Sequence, residues 1–243
     1  MLKADYSHTF KKSLIIITVF LSLCTLAYGQ ANRVIYFDYS LGISSPLGDF
    51  ASRNIDKDEA GFAKGGLSSS VTIGYDFIDK GFGLLFKTQS HVNAFNAIGY
   101  QRELNNTTTG YWTAYGDNYV TSSFMLGAKK NFNLTAKSIL DFRALLGLAL
   151  CRTPQIESFE STLPYWFVEL PTYASTLGYQ LGLGYQYQAN KRISIIASFE
   201  YFGASPEFGD ITSYASSGSI FLNTRTQPMN VINTKIGVGV NLN

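Results

Sequence analysis

Hydrophobic and polar positions alternate along most of this chain with a period of two, the spacing that sends successive side chains to opposite faces of an extended strand. The closing segment, residues 230–243, shows it plainly. Ile232, Ile236, Val238, Val240 and Leu242 fall on one face, while Asn233, Lys235, Gly237, Gly239 and Asn241 fall on the other. The same reading predicts strands over 33–43, 66–78, 81–93, 119–130, 174–188 and 192–203, each with one greasy face and one polar or small face. Segment 119–130 is the weakest of these, with Phe124, Leu126 and Ala128 on its apolar face.

Residues 138–151, SILDFRALLGLALC, test the assignment because their Leu-rich run also suits a buried helix. A helix would set Asp141 and Arg143 about 200° apart with apolar side chains all around them. A strand instead sends Leu140, Phe142, Ala144, Leu146, Leu148 and Leu150 to one side, and Asp141, Arg143, Gly147 and Ala149 to the other with Leu145. The strand separates greasy from polar and the helix does not, so this is the eighth predicted strand.

These strands run about ten to fourteen residues, whereas a soluble strand usually has about five or six. Roughly nine to eleven tilted residues cross a bilayer as a strand. Connections near 79–81, 130–136 and 189–191 are short, and those near 44–65, 94–118, 152–173 and 204–230 are long. An even number of long strands with short turns at one end and long loops at the other predicts an all-β fold. It is an eight-stranded antiparallel transmembrane barrel of up-and-down connectivity, with both termini on the short-turn, periplasmic side. Lipid offers backbone N–H and C=O groups no water, so strands survive there only in a sheet closed on itself.

The chain's start adds a compartment. Lys3, Lys11 and Lys12, an apolar run from Leu14 to Leu26, and Ala27-Tyr28-Gly29 have the three-part form of a secretory signal peptide over residues 1–29, leaving 30–243 as the barrel domain. The apolar run is too short to span a bilayer as a helix. The whole chain carries a formal net charge of +2, and removing Lys3, Lys11, Lys12 and Asp5 brings it to zero, so no nucleic-acid partner is expected. Cys151 is then the last thiol, which excludes an internal disulfide. Charged residues are only 15% of the chain, against about 25% in soluble domains, so less of this surface is built to face water.

These features together resemble the small outer-membrane β-barrels of Gram-negative bacteria, of OmpA/OmpX type. The stretches that carry the likeness are YFDYSLGISSPLGDF running into a long loop, LSSSVTIGYDF with a short turn into GFGLLFK, and the closing KIGVGVNLN. The resemblance implies an outer-membrane location, lipid around the barrel, insertion by the barrel-assembly machinery, and long loops that meet an extracellular ligand or protein. Barrels of this group often end in an aromatic residue, whereas this chain ends Leu242-Asn243.

Candidate chemistry is sparse. The polar face collects Asp38, Lys87, His91, Asp141, Arg143, Glu200 and Lys235, and Asp76 lies near a short turn. An eight-stranded barrel is just wide enough to be filled by side chains, so these charges are expected to pair in a packed interior. Arg143 is expected to pair across strands with Glu200 or Asp38. A narrow small-solute channel is the alternative, reached if the network opens. A lipid-modifying enzyme would have to centre on His91, the one histidine after residue 29. Its stretch SHVNAFN faintly resembles that of outer-membrane lipid A deacylases, but Asn93 stands where their serine nucleophile would be. No catalytic role, metal or cofactor is therefore expected, and Asp56, Asp58 and Glu59 read as a solvated charge run. In the third long loop, Tyr165, Trp166, Phe167 and Val168 form an apolar cluster between two prolines. It either contacts a partner or the outer leaflet, or packs against 204–230 with its Tyr214, Ile220, Phe221 and Leu222.

Overall fold

The computed structural model describes residues 33–242, so the signal-peptide expectation lies outside the described residues. Eight strands close into an antiparallel barrel: β1 (Arg33–Leu47), β2 (Ala63–Phe77), β3 (Phe82–Phe95), β5 (Asn118–Asn133), β6 (Ser138–Arg152), β9 (Tyr173–Gln188), β10 (Ile193–Ala204) and β13 (Asn230–Asn241). Each pairs with its neighbour along the chain, and β1 closes the ring on β13 with Phe37 opposite Val240 and Leu41 opposite Ile236. All eight expected strands are present, with β1 and β5 each four residues longer than the alternation alone marked and the others within two residues of the marked length. The predicted transmembrane barrel is thus the observed fold.

Alternation sorts the two sides of the wall. Leu41, Ile43, Leu67, Leu146, Leu148, Leu177, Leu183, Phe199, Ile236 and Val238 point outward and are exposed. Asp38, Ser70, Lys87, Gln89, Arg143, Gln180, Glu200, Asn233 and Lys235 point inward and are buried. A soluble protein would have this reversed, so the outer belt is a lipid-facing surface. Tyr75, Phe77 and Phe82 pack on one another at the short-turn end, with ring centroids 4.9 and 6.2 Å apart. That is where an interfacial aromatic girdle belongs.

The long connections depart from expectation. The first, between β1 and β2, is irregular apart from one short 3-10 turn, but the other three hold a helix, α1 (Ala97–Thr107), and a second sheet of five strands. These are β4 (Trp112–Gly116), β7 (Ile156–Glu160), β8 (Trp166–Glu169), β11 (Glu207–Ala215) and β12 (Ile220–Thr226), in the spatial order β12-β11-β8-β7-β4. That order matches the barrel strands β13-β10-β9-β6-β5, each separated from its partner by only a few residues. Five of the eight walls therefore continue beyond the barrel rim as one sheet. Its inner face and the barrel mouth enclose the main apolar core, which includes Phe50, Phe62, Phe95, Tyr119, Ile156, Phe208, Ile211 and Met229.

Candidate functional site

At mid-height, Glu200 on β10 gathers the interior cations. Lys87 Nζ on β3 lies 2.6 Å from its Oε1, and Lys235 Nζ on β13 lies 2.6 Å from its Oε2. Arg143 on β6 approaches Oε1 at 3.6 Å but gives its fork to Asp141, with Nε and Nη2 at 2.7 and 2.8 Å from the two carboxylate oxygens. The expected cross-strand pairing with Glu200 is therefore present as the longer of two contacts, and the one with Asp38 is not. The main partner of Arg143 is the acid two residues back on its own strand, because side chains at i and i+2 share a face and a fork matches a carboxylate. Glu200 is its second contact. Asp38 is buried nearby in the fields of Arg143 and Lys87 and makes no direct ion pair among the described residues. One level toward the short turns, Lys129 pairs with Asp76 at 3.0 Å and lies 4.3 Å from the centre of the Tyr36 ring.

Two glycines open the space this network needs. Gly182 faces both Arg143 and Glu200 across its two neighbouring strands, and Gly184 faces Asp141. A Cβ on Gly184 would collide with the Arg143 guanidinium and the Asp141 carboxylate. Sequence reading assigned the cations and acids to one side of the wall. It missed Lys129, which the alternation of β5 also places there.

His91 sits above the network, buried, with its ring 5.0 Å from that of Phe202. Ser68 and Thr121 flank it in register, yet His91 Nε2 and Ser68 Oγ make no hydrogen bond. The base-to-nucleophile contact that covalent catalysis needs is not made here. Asp56, Asp58 and Glu59 are exposed, and among the described residues no group of three potential ligands is placed to hold a metal.

The loop sheet has two unlike faces. Ala114, Ile156, Ser158, Ile211 and Ser213 turn inward and are buried. The outer face carries Tyr115, Phe159, Trp166, Val168, Tyr214, Ile220 and Leu222. Strand register sets Phe159 opposite Trp166, Val168 opposite Tyr214 and Tyr214 opposite Ile220. Tyr115, Ile220 and Leu222 are 59%, 62% and 66% exposed, so this face is largely apolar across all five strands, interrupted by Glu157 between Tyr115 and Val168 and by Thr212 opposite Leu222. Three of the four expected contact residues lie in this sheet rather than on a free loop. Tyr165 precedes β8, Trp166 and Val168 lie on the outer face, and Phe167 turns to the other face because β8 alternates. Packing against 204–230 is also observed, as backbone pairing of β8 with Ser213, Tyr214 and Ala215 of β11.

Between this outer face and the lipid belt stands a polar collar. Arg152 Nη2 holds Asp117 Oδ2 at 2.6 Å, Gln155 N donates to Asp117 Oδ1 at 2.6 Å, and Gln155 Nε2 donates to Glu157 at 2.6 Å. Ion pairs of this kind belong at or above headgroup depth. Phe159 lies seven residues past Arg152, roughly 20 Å farther along the chain at strand rise.

No protein-family model matches this sequence, and no curated sequence is significantly similar to it. A solved structure shares its architecture. A major outer membrane protein from Thermus thermophilus superimposes with a TM-score of 0.54 at 11% identity, covering 87% of this chain and 100% of that one. Neisserial surface protein A gives 0.47 at 10% identity over 87% and 99% of the two chains. Ail of Yersinia pestis, in complex with the heparin analogue sucrose octasulfate, gives 0.41 at 14% over 88% and 100%. With its closed ring, lipid-facing exterior and paired interior charges, the chain has the fold of the small eight-stranded outer-membrane β-barrels.

Proposed function

We propose that this chain is a surface protein of the outer membrane, in which a packed barrel holds up a rigid extracellular sheet that binds a protein partner, as in adhesion. The observation that supports this reading is the largely apolar, exposed outer face from Tyr115 to Leu222, separated from the barrel's apolar belt by the Asp117–Arg152 collar. A contiguous apolar patch outside the lipid belt is the usual mark of a contact surface. The barrel serves as its mount. Its cross-section is occupied by Glu200, Lys87, Lys235, Arg143 and Asp141, all buried, which favours a plugged interior over a conducting one.

The test uses cells displaying the protein. Protease should cut at the exposed turn over 217–219 in intact cells, which places the sheet outside and the termini in the periplasm. Adhesion to protein-coated surfaces should rise with expression and fall when Trp166, Ile220 and Leu222 are changed together to Ser, with the heat-dependent gel shift of a folded barrel retained. Adhesion unchanged by that triple substitution sinks the contact-surface reading, and steady conductance in planar bilayers sinks the plugged barrel.

A further inference from the structure

Beneath the loop sheet lies a cavity of about 570 Å³ that all four long connections help to line. That volume is within the roughly 300–1,000 Å³ typical of small-molecule sites. Its polar centre is Arg225 of β12 facing Glu169 of β8, with Nη2 to Oε1 at 3.3 Å. Charged pairs of this type usually close to roughly 2.7–2.9 Å, so this one is loosely made. Arg225 Nε is shielded from solvent and has no hydrogen-bond partner. One apolar wall is a cluster of three rings, Phe62, Phe95 and Tyr100, with centroids 5.2 to 6.2 Å apart. The Tyr100 hydroxyl makes no hydrogen bond among the described residues. Burial first, and then the Glu169 carboxylate, push its pKa upward, so it stays a neutral donor.

A donor without an acceptor, a carboxylate with spare lone pairs and an apolar wall define what fits. A simple anion would satisfy Arg225 and strand Glu169, and at the rim the exposed Asp58 and Glu59 outnumber Lys57, whose ammonium is paired with Asp49. A simple cation would satisfy Glu169 and strand Arg225. Leaving one member of a partly buried pair without compensation is what such sites avoid. We propose that the cavity binds a small zwitterion with an apolar side chain, of the free α-amino-acid class. Its carboxylate lies on Arg225 Nε, its ammonium on Glu169, and its side chain against Phe62, Phe95 and Tyr100.

The experiment is equilibrium dialysis of the detergent-purified barrel, checked for its heat-dependent gel shift, against L-phenylalanine, N-acetyl-L-phenylalanine and L-phenylalanine amide. Saturable binding of phenylalanine is expected, with each singly charged derivative weaker by about tenfold or more, since each leaves one charge unmatched. Arg225→Gln and Glu169→Gln should each reverse that selectivity toward the derivative matching the surviving charge. No saturable binding to folded protein, or three compounds binding alike, overturns the proposal. The comparison among ligands decides on the unaltered protein even where a variant fails to fold.

Discussion

Arg143 grips both oxygens of Asp141, two residues away on the same strand, and turns its remaining terminal nitrogen toward Glu200 at 3.6 Å. The guanidinium thereby links a local pair to the three-way contact of Glu200 with Lys87 and Lys235. Strands β3, β6, β10 and β13 meet through one buried carboxylate. Inside a ring whose exterior has only lipid to hold it, this junction specifies register, because a slip of one residue on any of these strands would turn its charge into the bilayer.

Removing Glu200 should therefore cost more than removing any single cation. Glu200→Gln leaves Lys87 and Lys235 buried together without their counter-charge, and breaking a buried pair costs about 3–5 kcal/mol. Arg143→Met leaves Asp141 alone but keeps both lysines on Glu200, so a smaller loss is expected. Urea-unfolding midpoints of the two variants in detergent check the order. Equal midpoints would mean that the junction is not the element holding the ring.

Gly184 should be as sensitive as the charges it faces. A methyl group there meets the Arg143 guanidinium and the Asp141 carboxylate directly, and overpacking a filled interior costs about 1–3 kcal/mol. At Gly209 no atom lies within 4 Å of an added Cβ, and its φ is not among the positive ones. Gly184→Ala should lower the unfolding midpoint, and Gly209→Ala should leave it unchanged within about 0.5 kcal/mol.

The barrel was legible because two different solvents impose the alternation. Every second residue of a long strand must suit lipid and the others a narrow polar interior, so the sequence of 230–243 carries its own face assignment. The Arg143 fork was legible in principle, since i and i+2 share a face, but long-range acids drew the inference away from Asp141. The loop sheet was not. WTAYG, IESFE and WFVE are four or five residues long, too short for a period to show; IESFE and WFVE form a hairpin with each other, and the sheet is completed by the sequence-distant pairings of β4 with β7 and of β8 with β11. Helix α1 left one local sign, Asn96, whose side chain accepts a hydrogen bond from Gly99 N at 3.1 Å. Its exposed Ile98 and lack of any fully buried residue hide the usual apolar stripe.

Acid should loosen the tip of the loop sheet before it affects the barrel. The Glu160 carboxylate accepts from the Thr162 hydroxyl at 2.6 Å and from the backbone N–H groups of Thr162, Leu163 and Tyr111. The Thr162 hydroxyl first, and then those N–H groups, hold its pKa below the ordinary 4.5. A carboxyl depressed in the folded state stabilises above its unfolded pKa, and the contribution fades as pH falls from there through the folded value. Tryptophan emission from Trp112 and Trp166 should therefore shift below about pH 4.5, while the gel shift of the barrel persists. Glu160→Gln should flatten that titration, and an unaltered titration in the variant would remove Glu160 as its cause.

The two edges of the loop sheet are treated differently, and the difference is testable at a single side chain. Edge strand β4 is covered by α1, whose Asn105 imitates a neighbouring strand. Its Oδ1 accepts from Trp112 N at 2.6 Å and its Nδ2 donates to Trp112 O at 3.4 Å. Gln101 Oε1 accepts from Ala114 N at 3.4 Å, one strand repeat farther along. At the opposite edge, β12 pairs with β11 alone and presents Ile220, Phe221 and Leu222, all exposed. An uncovered apolar edge is a template for pairing with another chain, and natural sheets commonly blunt such edges. Asn105→Ala should leave the Trp112 N–H without an acceptor, a local cost of about 1–3 kcal/mol. The result should be faster hydrogen exchange at Trp112 and Ala114 with no change at barrel amides. Asn105→Asp keeps the acceptor and should keep Trp112 protected. If the alanine variant protects Trp112 as well as the native chain does, the side-chain cover is incidental, and β4 is as open an edge as β12.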